Sequence, residues 1–285
     1  MAKTIGNPVT WTLRNLGASG EHLSQAASEL GGTADQAEPV ANKIEMQDLR
    51  DALRAGYRDF LETRADVLFI AVIYPLTGLI LFGFSLNMDL IPLLAPLVAG
   101  FALLGPVAAV GRYEISRRLE RGEEVTWLDS FRVVRAPSFG AILVLGFYLT
   151  LLFLIWLMVA HGIWERTLGP DAPVSVTAFA RDVVTTSQGW TMAISGIIVG
   201  FFFALLALAI SVVSFPLLLD REVGVPVAVV TSFRVFRRNP VVILTWGAVV
   251  AGLLILGSIP LLLGLIFVMP ILGHATWHLY RRAVS

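Results

Sequence analysis

From Thr191 to Leu219 the chain runs without a single Asp, Glu, Lys or Arg. A helix needs roughly 20 apolar residues to cross a bilayer core, so this one run commits the chain to lipid. Comparable runs cover Val67–Leu86, Leu90–Val110 and Phe139–His161. Val241–Tyr280 is long enough for two short spans that turn near Gly257-Ser258-Ile259-Pro260. The count is six membrane helices, the first two joined by a tight turn at Asn87-Met88-Asp89. A single fifth helix re-entering at Pro260 is the competing reading. Only 15% of the 285 residues are charged and 56% are hydrophobic, against about 25% charged in soluble domains. The fold class is all-α, a polytopic membrane protein.

The formal net charge is zero, so no global field draws the protein to nucleic acid. There is no cysteine, which excludes disulfides, thiolate zinc sites, iron–sulfur clusters and cysteine nucleophiles. Lysine and arginine set orientation. Of the 21, all but Arg166 and Arg181 fall before the first span, after an even-numbered one, or at the C-terminus. That asymmetry predicts cytoplasmic N- and C-termini in a multi-pass protein of a bacterial inner membrane. Trp164 and Trp190 then mark the outer boundary and Trp127 and Trp277 the inner one, where amphipathic rings settle. Residues 1–45 read as a flexible cytoplasmic tail, too polar to bury a core, and not as a signal peptide. A short partner-binding helix around Trp11, Leu13 and Leu16 is the alternative.

One phrase occurs twice: "SFRVVR" from Ser130 and "SFRVFRR" from Ser232. In the first, Leu128, Phe131 and Val134 recur every third residue beside Arg132 and Arg135. In the second, Val230, Phe233 and Phe236 do so beside Arg234, Arg237 and Arg238. An apolar stripe flanked by arginines is the pattern of a helix lying in the membrane interface. Pro137 and Pro240 then end each helix before a span. Leu49, Leu53, Tyr57 and Phe60, beside Arg50, Arg54 and Arg58, form a fainter third copy. Each even-numbered span also carries a proline shortly before its first polar inner residue: Pro106 before Arg112, Pro216 before Asp220, Pro270 before His274. The expected membrane domain, 46–282, is thus three tandem units of interfacial helix plus helical hairpin, about 46–112, 113–219 and 220–282.

The stretches "GRYEISRRLERGE" (Gly111–Glu123), "PLLLDREVG" (Pro216–Gly224) and "VMPILGHATWHLYRR" (Val268–Arg282) resemble a bacterial family of predicted integral membrane proteins, domain of unknown function 2189. The similarity extends over roughly 45–282. It implies a six-helix inner-membrane protein with no established activity, cofactor or catalytic residue.

Two constellations are candidates for chemistry. His274 and His278, one helical turn apart, share a face and supply two imidazoles to a metal or haem if Glu114, Asp220 or Glu222 adds a third ligand. The alternative is an interfacial girdle with Trp277, Tyr280, Arg281 and Arg282, and that reading gives no cofactor and no metal. The second constellation gathers Arg112, Glu114 and Arg117 after the second span with Asp220, Arg221 and Glu222 after the fourth. Converging at a cytoplasmic mouth, they form a charge network or a site for a polar head group or anion. No ionisable residue lies in the central part of any span, which argues against a proton-coupled pump. Ser195, Ser211 and Ser214 are spaced to hydrogen-bond within or between helices. No catalytic motif appears, and the expectation is a non-enzymatic scaffold or accessory factor that packs against lipid or other membrane proteins. A carrier for an amphiphilic or neutral solute, working through the proline-broken even spans, is the alternative. A metal- or haem-binding redox accessory is the third.

Overall fold

The computed structural model describes the backbone of residues 38–71, 83, 88–260 and 262–285. Side chains are described over the same residues except 64–71, 88–89, 101–103 and 127. Most of the first expected span, the tail with Trp11, Leu13 and Leu16, and the Trp127 side chain therefore lie outside the described residues. Of the expected Asn87-Met88-Asp89 turn, Asn87 also lies outside them, while the Met88 and Asp89 backbone opens a 3₁₀ helix.

The described chain is helical throughout, with one isolated bridge between Ala41 and Val284. Its α-helices are α1 (Met46–Ala71), α2 (Leu94–Leu103), α3 (Gly105–Ala108), α4 (Val110–Glu120), α5 (Phe139–Glu165), α6 (Val176–Thr185), α7 (Ser187–Ser211), α8 (Ser214–Asp220), α9 (Gly224–Arg238), α10 (Pro240–Ser258) and α11 (Leu265–Ala283). Two 3₁₀ helices, Met88–Leu93 and Trp127–Arg135, complete the order.

Three stretches are long and apolar enough to cross a membrane: α5, the α7–α8 pair (Ser187–Asp220) and α10. The Leu90–Val110 run is instead divided among a 3₁₀ helix and the short helices α2 and α3, because Pro92 and Pro106 each lack the N–H that would continue the ladder. Helix α11 has an apolar first half, Leu265–Gly273, and a polar second half. The faint third copy of the basic phrase is not a separate interfacial helix. It is the first half of α1, which continues unbroken to Ala71.

The two clear copies fold differently. "SFRVVR" lies in the 3₁₀ helix, where a repeat of three puts Leu128, Phe131 and Val134 on one exposed face. Asp129 holds its N-terminus by accepting from the Thr126 N–H at 2.8 Å and the Thr126 hydroxyl at 3.0 Å. "SFRVFRR" lies in the α-helix α9, with Val230 and Phe233 exposed and Phe236 half-buried.

Helix α11 runs antiparallel along α1. Arg282 donates to the Asp48 carbonyl at one end and Phe60 meets Phe267 edge-on at the other. Gly56 permits the approach, since a Cβ there would stand 2.4 Å from the Ala275 nitrogen. Asn239, between α9 and α10, accepts from the Ile44 N–H at 2.9 Å and donates to the Asn42 carbonyl at 2.8 Å. Val40 and Ser285 exchange two backbone hydrogen bonds, so residues 38–42 and the end of α11 lie side by side.

The fourth run breaks at Val212–Val213, between α7 and α8 and just ahead of Pro216. A hydroxyl repairs the gap. Ser232 Oγ donates to the Ala209 carbonyl at 2.8 Å and stands 3.5 Å from the Val213 nitrogen, replacing the direct bond between the two. Ser214 donates to the Ile210 and Ala228 carbonyls. Ser195 and Ser211 bond back to their own helix at Thr191 and Ala207, as their spacing predicts.

Candidate functional site at the polar end of the bundle

The polar second half of α11 meets α1, α4 and α8 at one end of the bundle, and three connected groups of side chains form there.

The innermost group is built on Asp59, buried on α1. Its Oδ2 accepts from Ser116 Oγ at 2.6 Å and lies 2.8 Å from His278 Nε2. Ser116 Oγ is in turn 2.7 Å from His274 Nδ1. A carboxylate only accepts, so the Ser116 proton points to Asp59 and the Ser116 oxygen accepts from His274. That fixes His274 as the tautomer protonated on Nδ1, with His278 donating through Nε2. His274 is fully buried, and its Nε2 has no hydrogen-bond partner among the described residues. Burial pushes its pKa down to about 3 despite the neighbouring carboxylate, so it is neutral at physiological pH. Burial alone would raise Asp59, but hydrogen bonds from His278 and Ser116 hold its carboxyl below the usual range.

The second group links α4, α8 and α11. Asp220 accepts from the Tyr280 hydroxyl at 2.7 Å and from Arg281 at 3.3 Å. Glu120 accepts from Arg281 Nε at 3.0 Å and from Trp277 Nε1 at 3.1 Å. Burial, with the Asp220 charge beside it, holds the Tyr280 hydroxyl well above its ordinary pKa.

The third group borders the loop after α4. Glu114 pairs with Arg117 at 2.5 Å and with Arg118 at 2.8 Å. Arg117 also donates to the Leu219 carbonyl at 2.7 Å, capping α8. Arg118 reaches Glu123 at 2.8 Å, and Asp129 pairs with Arg132 at 2.7 Å. Hydrogen bonds from Thr126 depress the Asp129 pKa.

The expected constellation is thus partly assembled. Glu114, Arg117, Asp220, Arg221 and Glu222 border one cavity. Arg112 and Glu114 are buried, and the Arg112 stem packs on Gly273. The expected girdle does not hold, because Trp277, Tyr280 and His274 lie inside the bundle with no exposed surface. Trp164, expected at the outer boundary, is also buried, whereas Trp190 is exposed. His274 and His278 bond to Ser116 and Asp59, and among the described residues no three His, Asp or Glu side chains are placed to hold a metal ion. Asp59 and Ser116 are the residues that sequence reasoning missed. The signal for Asp59 was an acid on the apolar stripe side of α1, next to Phe60; nothing announced Ser116. Arg234 pairs with Glu38, while Arg237 and Arg238 are on α9 near its C-terminus.

Residues 93–220 match the model of a family described as predicted integral membrane protein, DUF2189. The match takes in α2 through α8, with Arg112, Glu114, Ser116, Arg117 and Asp220. It is narrower than the resemblance over 45–282, and it stops before α9, α10 and the "GHATWHLYRR" ending that carries His274 and His278. No curated protein and no solved structure matches the chain.

Proposed function

We propose that this DUF2189-containing chain is a non-enzymatic accessory protein of the bacterial inner membrane, built to pack laterally against another membrane protein. The observation that carries this reading is the bareness of its apolar helices. Only 28% of the most apolar stretch of α5, 28% of that of α7–α8 and 17% of that of α10 is buried within the chain. Phe147, Met158, Ile197, Phe202 and Ile255 stand on those open faces.

The polar end supports the same reading. Its side chains hold α1, α4, α8 and α11 to one another, which suits a rigid mount for exposed helices. A solute carrier would keep the carbonyls at a proline break open to a wet cavity. Here Ser232 and Ser214 bond the carbonyls beside the Val212–Val213 break, which favours the accessory role over the carrier.

Six spans, with the two units that carry the clear copies of the phrase arranged in tandem, are part of the proposal. Ser130 packs on Gly111 just after the break between α3 and α4, and Ser232 packs on Val213 at the break between α7 and α8. Both pairs are 19 positions apart, so the repeated phrase leans on a helix break each time. The nearness of the Val40 and Ser285 backbones supports termini on one side, and the arginine asymmetry makes that side cytoplasmic.

The test is photocrosslinking in native membranes from benzophenone-phenylalanine placed at Met158, Ile197 and Ile255. The accessory role predicts one discrete protein adduct from at least one position. Adducts to lipid alone from all three would overturn it. An absorbance spectrum with metal analysis of the purified protein tests the redox alternative, which a bound chromophore or stoichiometric metal would revive.

A further inference from the structure

The geometry points to a phosphate-anion site, for the headgroup of an anionic lipid, in the cavity between α4, the Arg132–Ser138 segment and the end of α8. The cavity is about 270 Å³, just under the roughly 300 Å³ at which pockets for drug-sized ligands begin. A headgroup phosphate with its glycerol fits inside it.

Five arginines line it: Arg117, Arg118, Arg132, Arg135 and Arg221. The first three are engaged in the walls by Glu114, the Leu219 carbonyl and Asp129. Arg135 and Arg221 make no ion pair with any described residue, so they carry the positive potential of the cavity. The opposing carboxylates are mostly committed. Glu114 faces Arg117 and Arg118, and Asp220 is held by Tyr280 and Arg281; Glu222 is the third acid on the lining. Ser138, also on the lining, makes no capping bond with its hydroxyl. Two guanidinium forks and a hydroxyl are the donor set that tetrahedral phosphate oxygens take, often two at a time.

Position selects the lipid as the source. Phe139 begins α5 and Asp220 ends the α7–α8 pair, two of the stretches long enough to cross a membrane. The cavity therefore lies where these helices leave the apolar layer, at headgroup depth. The site requires membrane insertion but not the accessory role, so the two stand or fall separately.

The full-length protein in detergent is titrated with short-chain phosphatidylglycerol, short-chain phosphatidylcholine or inorganic phosphate, with thermal stabilisation as the readout. Phosphatidylglycerol is expected to stabilise at concentrations where phosphatidylcholine does not. Arg135→Gln/Arg221→Gln should weaken that response by about tenfold or more per arginine, as loss of a charge-assisted bond implies. The control Arg54→Gln/Arg181→Gln removes the same charge on other surfaces, both residues being exposed, and should leave it unchanged. Stabilisation by inorganic phosphate alone, lost in the Arg135/Arg221 variant, would keep the anion site but make its ligand soluble and overturn the lipid assignment. An equal response in wild type and both variants, or none to any anion, would overturn the site.

Discussion

Asp59 and His278, 219 positions apart in the chain, meet at 2.8 Å through Oδ2 and Nε2. The same carboxylate oxygen takes the Ser116 proton, so one buried atom ties α1 to both α4 and α11. Removing it leaves the buried Ser116 hydroxyl without its acceptor, at about 1–3 kcal/mol, and frees the part-buried His278 ring. Asp59→Ala should lower thermal stability in detergent markedly, and Asp59→Asn should retain part of it by keeping an acceptor oxygen. An Asp59→Ala protein that melts with the wild type would show that the junction holds nothing together.

Acid should act through His274. Its folded pKa, about 3, lies below the ordinary 6.5, so the unfolded chain binds a proton that the folded chain refuses. Stability is then complete above pH 6.5 and falls as the pH drops below it, with a slope approaching about 1.4 kcal/mol per pH unit. Asp59 is held below its ordinary 3.8, so its contribution persists above that value and is lost only in stronger acid. Between pH 6.5 and about 4 the His274 effect should therefore be legible by itself. His274→Gln should flatten the melting temperature across that window, and an unchanged slope in the variant would contradict the assignment.

The Ser232 hydroxyl joins Ala209 to the Val213 nitrogen across the helix break. Ser232→Ala should destabilise by about 1–3 kcal/mol, because the Ala209 carbonyl stays buried and unbonded. Ser130, whose buried hydroxyl has no hydrogen-bond partner among the described residues, should tolerate the same change with little loss. Equal losses at both positions, measured by denaturation in mixed micelles, would remove the distinction.

The sequence made the apolar runs, the proline breaks and the basic face legible, because each rests on local composition. Thr191–Leu219 had to be helical in lipid, and Pro216 had to disturb it. What the sequence could not show is how α1 docks. Leu49, Leu53, Tyr57 and Phe60 suit an interfacial helix or a packed one equally well. The choice depends on Gly56 meeting Ala275 and on Asp59 finding Ser116 and His278, contacts more than 50 and 200 positions away. Asp220 was expected in a charge network with Arg112, Glu114, Arg117, Arg221 and Glu222. It also bonds to Tyr280 and Arg281, a pairing set by how α11 docks. The girdle reading failed for the same reason, since an aromatic and basic helix end looks alike whether it faces lipid or the interior.

Phe131 and Phe233 stand outward from their helices, each about half exposed. In the membrane both should insert at the acyl boundary, where a buried phenylalanine contributes about 1.5–3 kcal/mol. The flanking arginines should face phosphates, each contributing on the order of 1 kcal/mol. A spin label at position 233 should be shielded from aqueous relaxation agents, and one at position 237 or 238 open to them. Uniform accessibility from Val230 to Arg238 would remove the interfacial role.

Sidedness tests the proposed cytoplasmic position of the polar end most directly. The chain has no cysteine, so single cysteines report without background. Val174, almost fully exposed between α5 and α6, should become a Val174→Cys variant labelled by an impermeant maleimide in intact spheroplasts. Ser285→Cys, beside Val40 at the end of α11, should label only in inverted vesicles. Labelling of Ser285→Cys in intact spheroplasts, or of both positions from the same side, would contradict a polar end that faces the cytoplasm.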